Sequence, residues 1–131
     1  MNIQQAFNDA VRFVVKQGAP GRNEYGCVYF DKESGNRCAI GALLPEELCT
    51  VIADDGGIEA VWDQIAGRLE DQYGQMERDE EFYEAFFEKL QGAHDNGATF
   101  GEFVKEFLRR AVWLAEEYNL NQEVIAECNP S

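Results

Sequence analysis

Residues 26–47, GCVYFDKESGNRCAIGALLPEE, limit the folds open to this chain, because they carry the one strong β signal in a sequence that otherwise reads as helix. Cys27-Val-Tyr-Phe30 is rich in β-formers, Glu33-Ser-Gly-Asn36 is turn chemistry, and Arg37-Cys-Ala-Ile40 returns to apolar residues. This predicts a hairpin turning at Ser34-Gly35, with Phe30 opposite Ala39 and Cys27 opposite Ala42. In that register Cys27 and Cys38 do not face each other, which disfavours a disulfide between them. Gly41 is expected at a bend or close backbone approach, and Pro45-Glu46-Glu47 as the first turn of a helix. Two short strands are not stable alone, so helices must cover their apolar face.

The rest of the chain supplies those helices. Ile3, Phe7, Val11, Val14 and Val15, with Ala6 and Ala10, recur at helical spacing; Asn2 can cap the start and Gly18 marks the end. Asp54-Asp-Gly-Gly57 interrupts the helix begun at Pro45, and Ile58, Val61, Trp62, Ile65 and Leu69 form an apolar stripe running to Tyr73. From Asp79, Phe82, Phe86 and Leu90 make another, with Tyr83 and Phe87 beside them as further core. Residues 92–97 read as a break, and Thr99-Phe-Gly-Glu102 as a capping box opening a last long helix with Phe103, Phe107, Leu108, Ala111, Leu114, Ala115 and Tyr118 inward. Asn119 and Asn121 end it. The expected fold is α+β: a mainly helical single domain over 1–120 with one short hairpin packed against helices, and 121–131 as a weakly ordered or short helical tail.

At 131 residues and 45% hydrophobic the chain can close one core without disulfides or a metal. No apolar run is long enough to span a membrane and no signal-peptide pattern opens the sequence, so a cytoplasmic protein is expected. Its four cysteines, Cys27, Cys38, Cys49 and Cys128, are too few and scattered for a disulfide framework. The formal net charge of −14 is concentrated: residues 46–88 hold fourteen Asp and Glu against Arg68 and Arg78, leaving the remainder at −2. A polyanion of this kind is repelled by nucleic acid and anionic lipid, which argues against direct binding to either and for a basic protein partner.

The segments Gly26-Cys-Val-Tyr29, Arg37-Cys-Ala-Ile-Gly-Ala-Leu-Leu-Pro-Glu-Glu47 and Leu90-Gln-Gly-Ala-His-Asp95, in that order after an amphipathic helix, resemble a family of small uncharacterised phage and prophage proteins. Its pattern is C-A-[IV]-G-x-L-[IL]-P-[DE]-E followed downstream by L-Q-x-x-H-D. The resemblance implies a phage-type accessory protein in a host cytoplasm and assigns no activity. This chain departs from the pattern in a longer, more acidic region between Pro45 and Leu90.

Cys38, His94 and Asp95 are the residue types of a Cys-His-Asp nucleophilic site, in which imidazole deprotonates the thiol and a carboxylate orients the ring. The bland alternative puts His94 at the C-terminus of the preceding helix, where a partly cationic ring is favoured. Cys27, Cys38 and Cys49 with His94 could supply four zinc ligands, but the close cysteine pairs of structural zinc sites are missing, so buried free thiols, no metal and no cofactor are expected. On this reading Cys38, Gly41 and Pro45 are structural.

The acidic segment carries the sharper expectation. Glu59, Asp63 and Glu70 fall along one side of the first acidic helix, and Glu77, Glu80, Glu81, Glu84 and Glu88 along one side of the next. Duplex DNA carries one charge per about 1.7 Å, so twelve charges match about 20 Å of duplex. A fourteen-residue helix spans about the same length. Like charges at i, i+4 repel, a cost that solubility alone does not require. The functional expectation is protein–protein binding, with the acidic surface as a nucleic-acid mimic that blocks a basic surface of a host defence protein. The alternative is a small cytoplasmic hydrolase using Cys38 or a carboxylate–His94 site. A lone hairpin edge also leaves homodimerisation open.

Overall fold

A computed structural model describes residues 1–52 and 56–129, and within them the chain is an α+β domain in which six helices surround a small irregular segment containing one two-stranded hairpin. Helix α1 (Ile3–Gln17) opens with Asn2, whose side chain accepts from the Gln5 N–H, and closes at Gly18 in the left-handed conformation. Its Ala6, Phe7, Ala10, Val11 and Val14 are fully buried. Short helix α2 (Glu46–Cys49) starts after Pro45, whose φ of −61° leads into the first turn. The expected interruption at Asp54-Asp55 lies outside the described residues.

Helices α3 (Gly57–Tyr73) and α4 (Glu80–Thr99) form a helical hairpin, and α4 packs in turn against α5 (Phe103–Glu117). Phe86, Phe87 and Leu90 of α4 are fully buried, with Ile65 and Leu69 from α3 and Phe107 and Ala111 from α5. Asn119, at φ 54°, ends α5, and α6 (Glu123–Cys128) returns to α1 with Val124 and Ile125 buried. The Gln4 side chain bonds both the N–H and the C=O of Asn121. No helix among the described residues is long and apolar enough to cross a membrane.

The β structure is displaced from where the sequence pattern puts it. Strands β1 (Arg22–Asn23) and β2 (Gly26–Cys27) pair antiparallel around Glu24-Tyr25, with Arg22 opposite Cys27. Phe30 meets Arg37 in a single bridge, two residues from the expected Ala39. The cause is a side chain from α1: Gln17 accepts from the Arg37 N–H and donates to the Arg37 carbonyl at 2.8 Å, so this backbone is held by a helix end instead of a ladder. Beyond it the chain curls, with the Ala42 N–H bonded to the Cys38 carbonyl, into a 3-10 turn at Gly41–Leu43. A Cβ on Gly41 would sit 2.0 Å from the Tyr29 carbonyl oxygen, so two backbones cross here with no room for a side chain.

Two further expectations fail for one reason. Helix α4 does not break at 92–97 but continues to Thr99. Gly97 lets α5 approach, since a Cβ there would lie 3.2 Å from the Phe107 nitrogen. Asn96 and Thr99 donate back to the carbonyls of Gly92 and Asp95. Thr99 therefore bonds within α4 and is not a capping-box residue; α5 starts at Phe103 after Glu102, which makes no side-chain cap bond. Glu77 lies in the 74–79 connection and not on α4, so the acidic row on that helix begins at Glu80.

Candidate functional site

Two regions hold the candidate residues. The first is a polar node on the inner face of α4, built from Gln91, His94 and Asp95. The i, i+3, i+4 spacing puts all three on one side of the helix, facing the irregular segment. His94 is fully buried, and its Nε2 accepts from the Gly21 N–H at 3.0 Å. A backbone N–H can only donate, so Nε2 is unprotonated and Nδ1 carries the hydrogen, directed at Asp95 Oδ1 2.9 Å away. The Phe103 ring meets the imidazole edge to face at 5.4 Å. Asp95 Oδ1 also accepts from Gln91 Nε2 at 2.7 Å, while Gln91 Oε1 accepts from the Ile40 N–H at 3.1 Å.

The thiol that joins the node is Cys27, not Cys38. Cys27 Sγ, the His94 ring and the Asp95 carboxylate lie within 4.8 Å of one another. Burial, then the field of Asp95 and the hydrogen bond to it, push the Cys27 thiol up to about 12. Cys38 is almost completely buried and accepts from the Gly41 N–H at 3.3 Å; burial raises its thiol as well. Cys49 lies apart from the node and points its Sγ at the Gly41 carbonyl, 3.5 Å away. Cys27, Cys38, Gln91 and Asp95 line a cavity of only about 40 Å³.

This geometry is opposed to nucleophilic chemistry. A catalytic imidazole needs a free lone pair toward the thiol, and the His94 lone pair is occupied by Gly21. A reactive cysteine needs a thiolate favoured by positive charge, whereas Cys27 faces a carboxylate. Metal binding meets the same obstacle: ligation at Nδ1 would move the ring hydrogen to Nε2, directly against the Gly21 N–H. The node instead leaves no buried side-chain nitrogen or oxygen without a partner and ties Gly21, Cys27 and Ile40 to α4. His94 is thus interior to α4 and not at its C-terminus, where the bland reading put it. The three segments that carry the phage-protein resemblance meet here.

The second region is the acidic face. Glu59 on α3 and Glu80, Glu81, Glu84 and Glu88 on α4 converge: the Glu84 carboxyl is pushed above its ordinary value first by partial burial and then by Glu88, Glu59, Glu80 and Glu81. Glu59, Asp63, Glu80, Glu81 and Glu88 are exposed, and Glu70 and Glu84 half-buried. Two of the eight predicted residues also have internal duties, since Glu80 accepts from Trp62 Nε1 at 2.7 Å and Glu70 from the Met76 N–H at 3.0 Å. Glu77 stands in the connection, its N–H donated to the Tyr83 hydroxyl. Among the described residues no acid between Glu59 and Glu88 is in an ion pair; the pairs formed involve Glu46, Asp95, Glu106, Glu117 and Glu127. The Arg78 guanidinium lies 3.9 Å from the centre of the Phe82 ring.

The sequence pairs Cys27 with His94 only within a four-ligand zinc set that also needs Cys38 and Cys49, and it does not single out Gln91. The signal was present in the spacing of Gln91, His94 and Asp95, but it shows only if the helix is carried through Gly92. Comparison with protein families, curated proteins and solved structures gives no match for this chain.

Proposed function

We propose that this chain is a binding protein that offers the α3–α4 acidic face to a basic protein surface, acting as a phage-type accessory factor in the host cytoplasm. The observation that carries this reading is the unneutralised convergence of Glu59, Glu80, Glu81, Glu84 and Glu88 on two adjacent helices, close enough that Glu84 feels the other four. Carboxylates gathered without cations cost folding stability, and a basic partner recovers that cost on binding. From Glu80 to Glu88 the row extends about 12 Å. That length and charge suit a groove that otherwise holds nucleic-acid phosphates, so the occupied surface is that of a nucleic-acid-binding host protein. A hydrolase at Cys38 or His94 gains no support, because each group is buried and its polar atoms are already bonded.

The test is affinity capture from host lysate at low and high salt, repeated with Glu59, Glu81, Glu84 and Glu88 reversed to Lys. The expected result is a captured basic protein, lost at high salt and lost with the reversed variant. Capture that survives both changes would sink the proposal.

A further inference from the structure

The walls of the small chamber beside the node carry two thiols, an amide and a carboxylate, from Cys27, Cys38, Gln91 and Asp95. At about 40 Å³ it has no room for an organic ligand but admits a single ion with a water. Gln91 and Asp95 also line a cleft of about 230 Å³ between the start of α3 and α4, together with Glu59 and Glu88. The chamber therefore opens, past Asp95, onto a passage bordered by carboxylates. A negatively charged entry of this kind draws cations inward.

The donors suit a cation that prefers sulfur. Cys27 Sγ and an Asp95 carboxylate oxygen lie within 4.8 Å of each other, and the thiol hydrogen is bonded to that carboxylate. A single proton thus joins two groups that would otherwise both be anionic, and a divalent cation in its place brings more positive charge. The hydrogen bonds that fix Asp95, from His94 Nδ1 and Gln91 Nε2, both fall on Oδ1, and its side chain is 44% exposed, so Oδ2 can ligate. Cys38 Sγ accepts from the Gly41 N–H, a bond that supports a metal-bound thiolate as well as a thiol. The obstacle at His94 does not extend to these groups. The ring keeps its bond to Gly21 and stands behind Asp95, orienting the carboxylate as an outer partner orients a metal ligand. Cys49, which the sequence spacing would add to such a set, directs its Sγ at the Gly41 carbonyl.

We propose that Cys27, Cys38 and Asp95 form a binding site for a thiophilic divalent cation of the zinc class, with a water as the fourth ligand. As the ion enters, both thiol hydrogens leave to solvent as protons, and two sulfur–metal bonds and one oxygen–metal bond form. Thiolate donors select against magnesium and calcium, which take oxygen ligands. The ion ties two parts of the irregular segment to α4 at once. The site holds whether or not the acidic face meets a protein.

Cobalt(II) titration of the reduced full chain, followed by competition with zinc, tests this. The wild type should take up an equimolar amount of cobalt with a near-ultraviolet sulfur-to-cobalt charge-transfer band, which zinc abolishes and an excess of magnesium or calcium leaves unchanged. Asp95→Asn is the sharpest variant, because its amide oxygen still accepts from His94 and Gln91 while its nitrogen cannot ligate. It should keep the helical circular dichroism of the wild type and bind zinc at least about tenfold more weakly. Cys27→Ser should lose most of the band and weaken zinc by at least about a hundredfold, whereas Cys128→Ser should change neither. A wild type without the band overturns the proposal, and so does a folded Asp95→Asn that binds zinc as tightly as the wild type. A zinc-induced shift of the His94 Nδ1 resonance to that of a ligated nitrogen would put the ring in the place of Asp95 and likewise overturn it. The wild-type and Asp95→Asn measurements decide the matter even where Cys27→Ser does not fold.

Discussion

The node around His94 and the acidic face around Glu84 lie on the same helix and handle polar groups in opposite ways. In the node, Gln91, His94 and Asp95 are each bonded to a group from a distant part of the chain or to one another, and no buried side-chain polar atom is left without a partner. On the face, Glu59, Glu81, Glu84 and Glu88 raise one another's charge density with no cation to balance it. The difference separates polar groups that the fold uses from polar groups that it leaves open. Residues that would draw a catalytic reading from sequence are spent on holding the fold, whereas residues that look merely solubilising are left unsatisfied by it.

The largest expected effect tests the structural half of this contrast. Gly41→Ala places a methyl group 2.0 Å from the Tyr29 carbonyl oxygen, against backbone that cannot rotate away, and should destabilise the protein by about 3 kcal/mol or more. A urea midpoint within error of wild type would show that the crossing of Tyr29 and Gly41 is looser than described. Next comes His94→Ala, which leaves the Gly21 N–H buried without an acceptor and opens a cavity beside Phe103. The expected loss is about 2 to 3 kcal/mol. Partner capture by the folded fraction should be unaffected, since the acidic face is untouched. Loss of capture without loss of stability would reverse the assignment of the two regions.

The smallest effect belongs to the face. A carboxyl whose folded value is raised binds its proton more tightly in the native state than in the unfolded chain. The cost of partly burying the Glu84 charge, and after it the repulsion from its neighbours, is therefore relieved below the unfolded value and fully present above the folded one, so its contribution to stability falls as pH rises through that interval. Glu84→Gln should give a slight increase in thermal midpoint at neutral pH that disappears in mild acid. A decrease at neutral pH would mean that the carboxylate is favourably partnered, contrary to the open face described above.

How much of this was legible in the sequence follows from how local each feature is. Helices α1 and α3 can be read from their own stripes, with Asn2 and Gly18 marking the ends of the first and Tyr73 the end of the second. The pairing expected across Ser34-Gly35 does not form because the Arg37 backbone is bonded by Gln17, a side chain twenty residues earlier. Helix α4 was cut short because Gly92 and Gly97 look like breakers, and only the approach of α5 gives Gly97 its purpose. The acidic row could be read from Glu80 onward, since it depends on spacing within one helix; Glu77 was misplaced with the start of that helix. The node was hidden because the two ends of its central bond, Gly21 and His94, are 73 residues apart.

That separation has a consequence for the order in which the molecule assembles. The segment between α1 and α2 contains two short strands and one 3-10 turn, and its anchoring bonds run to Gln17 on one side and to Gln91 and His94 on the other. Closing so long a loop costs entropy before any bond is gained. The segment therefore docks after α1 and the α3–α5 helices have met, as the last part of the chain to find its place. In native-state hydrogen exchange the amides of Gly21, Val28 and Ile40 should accordingly open together, at a lower free energy than those in the middle of α4.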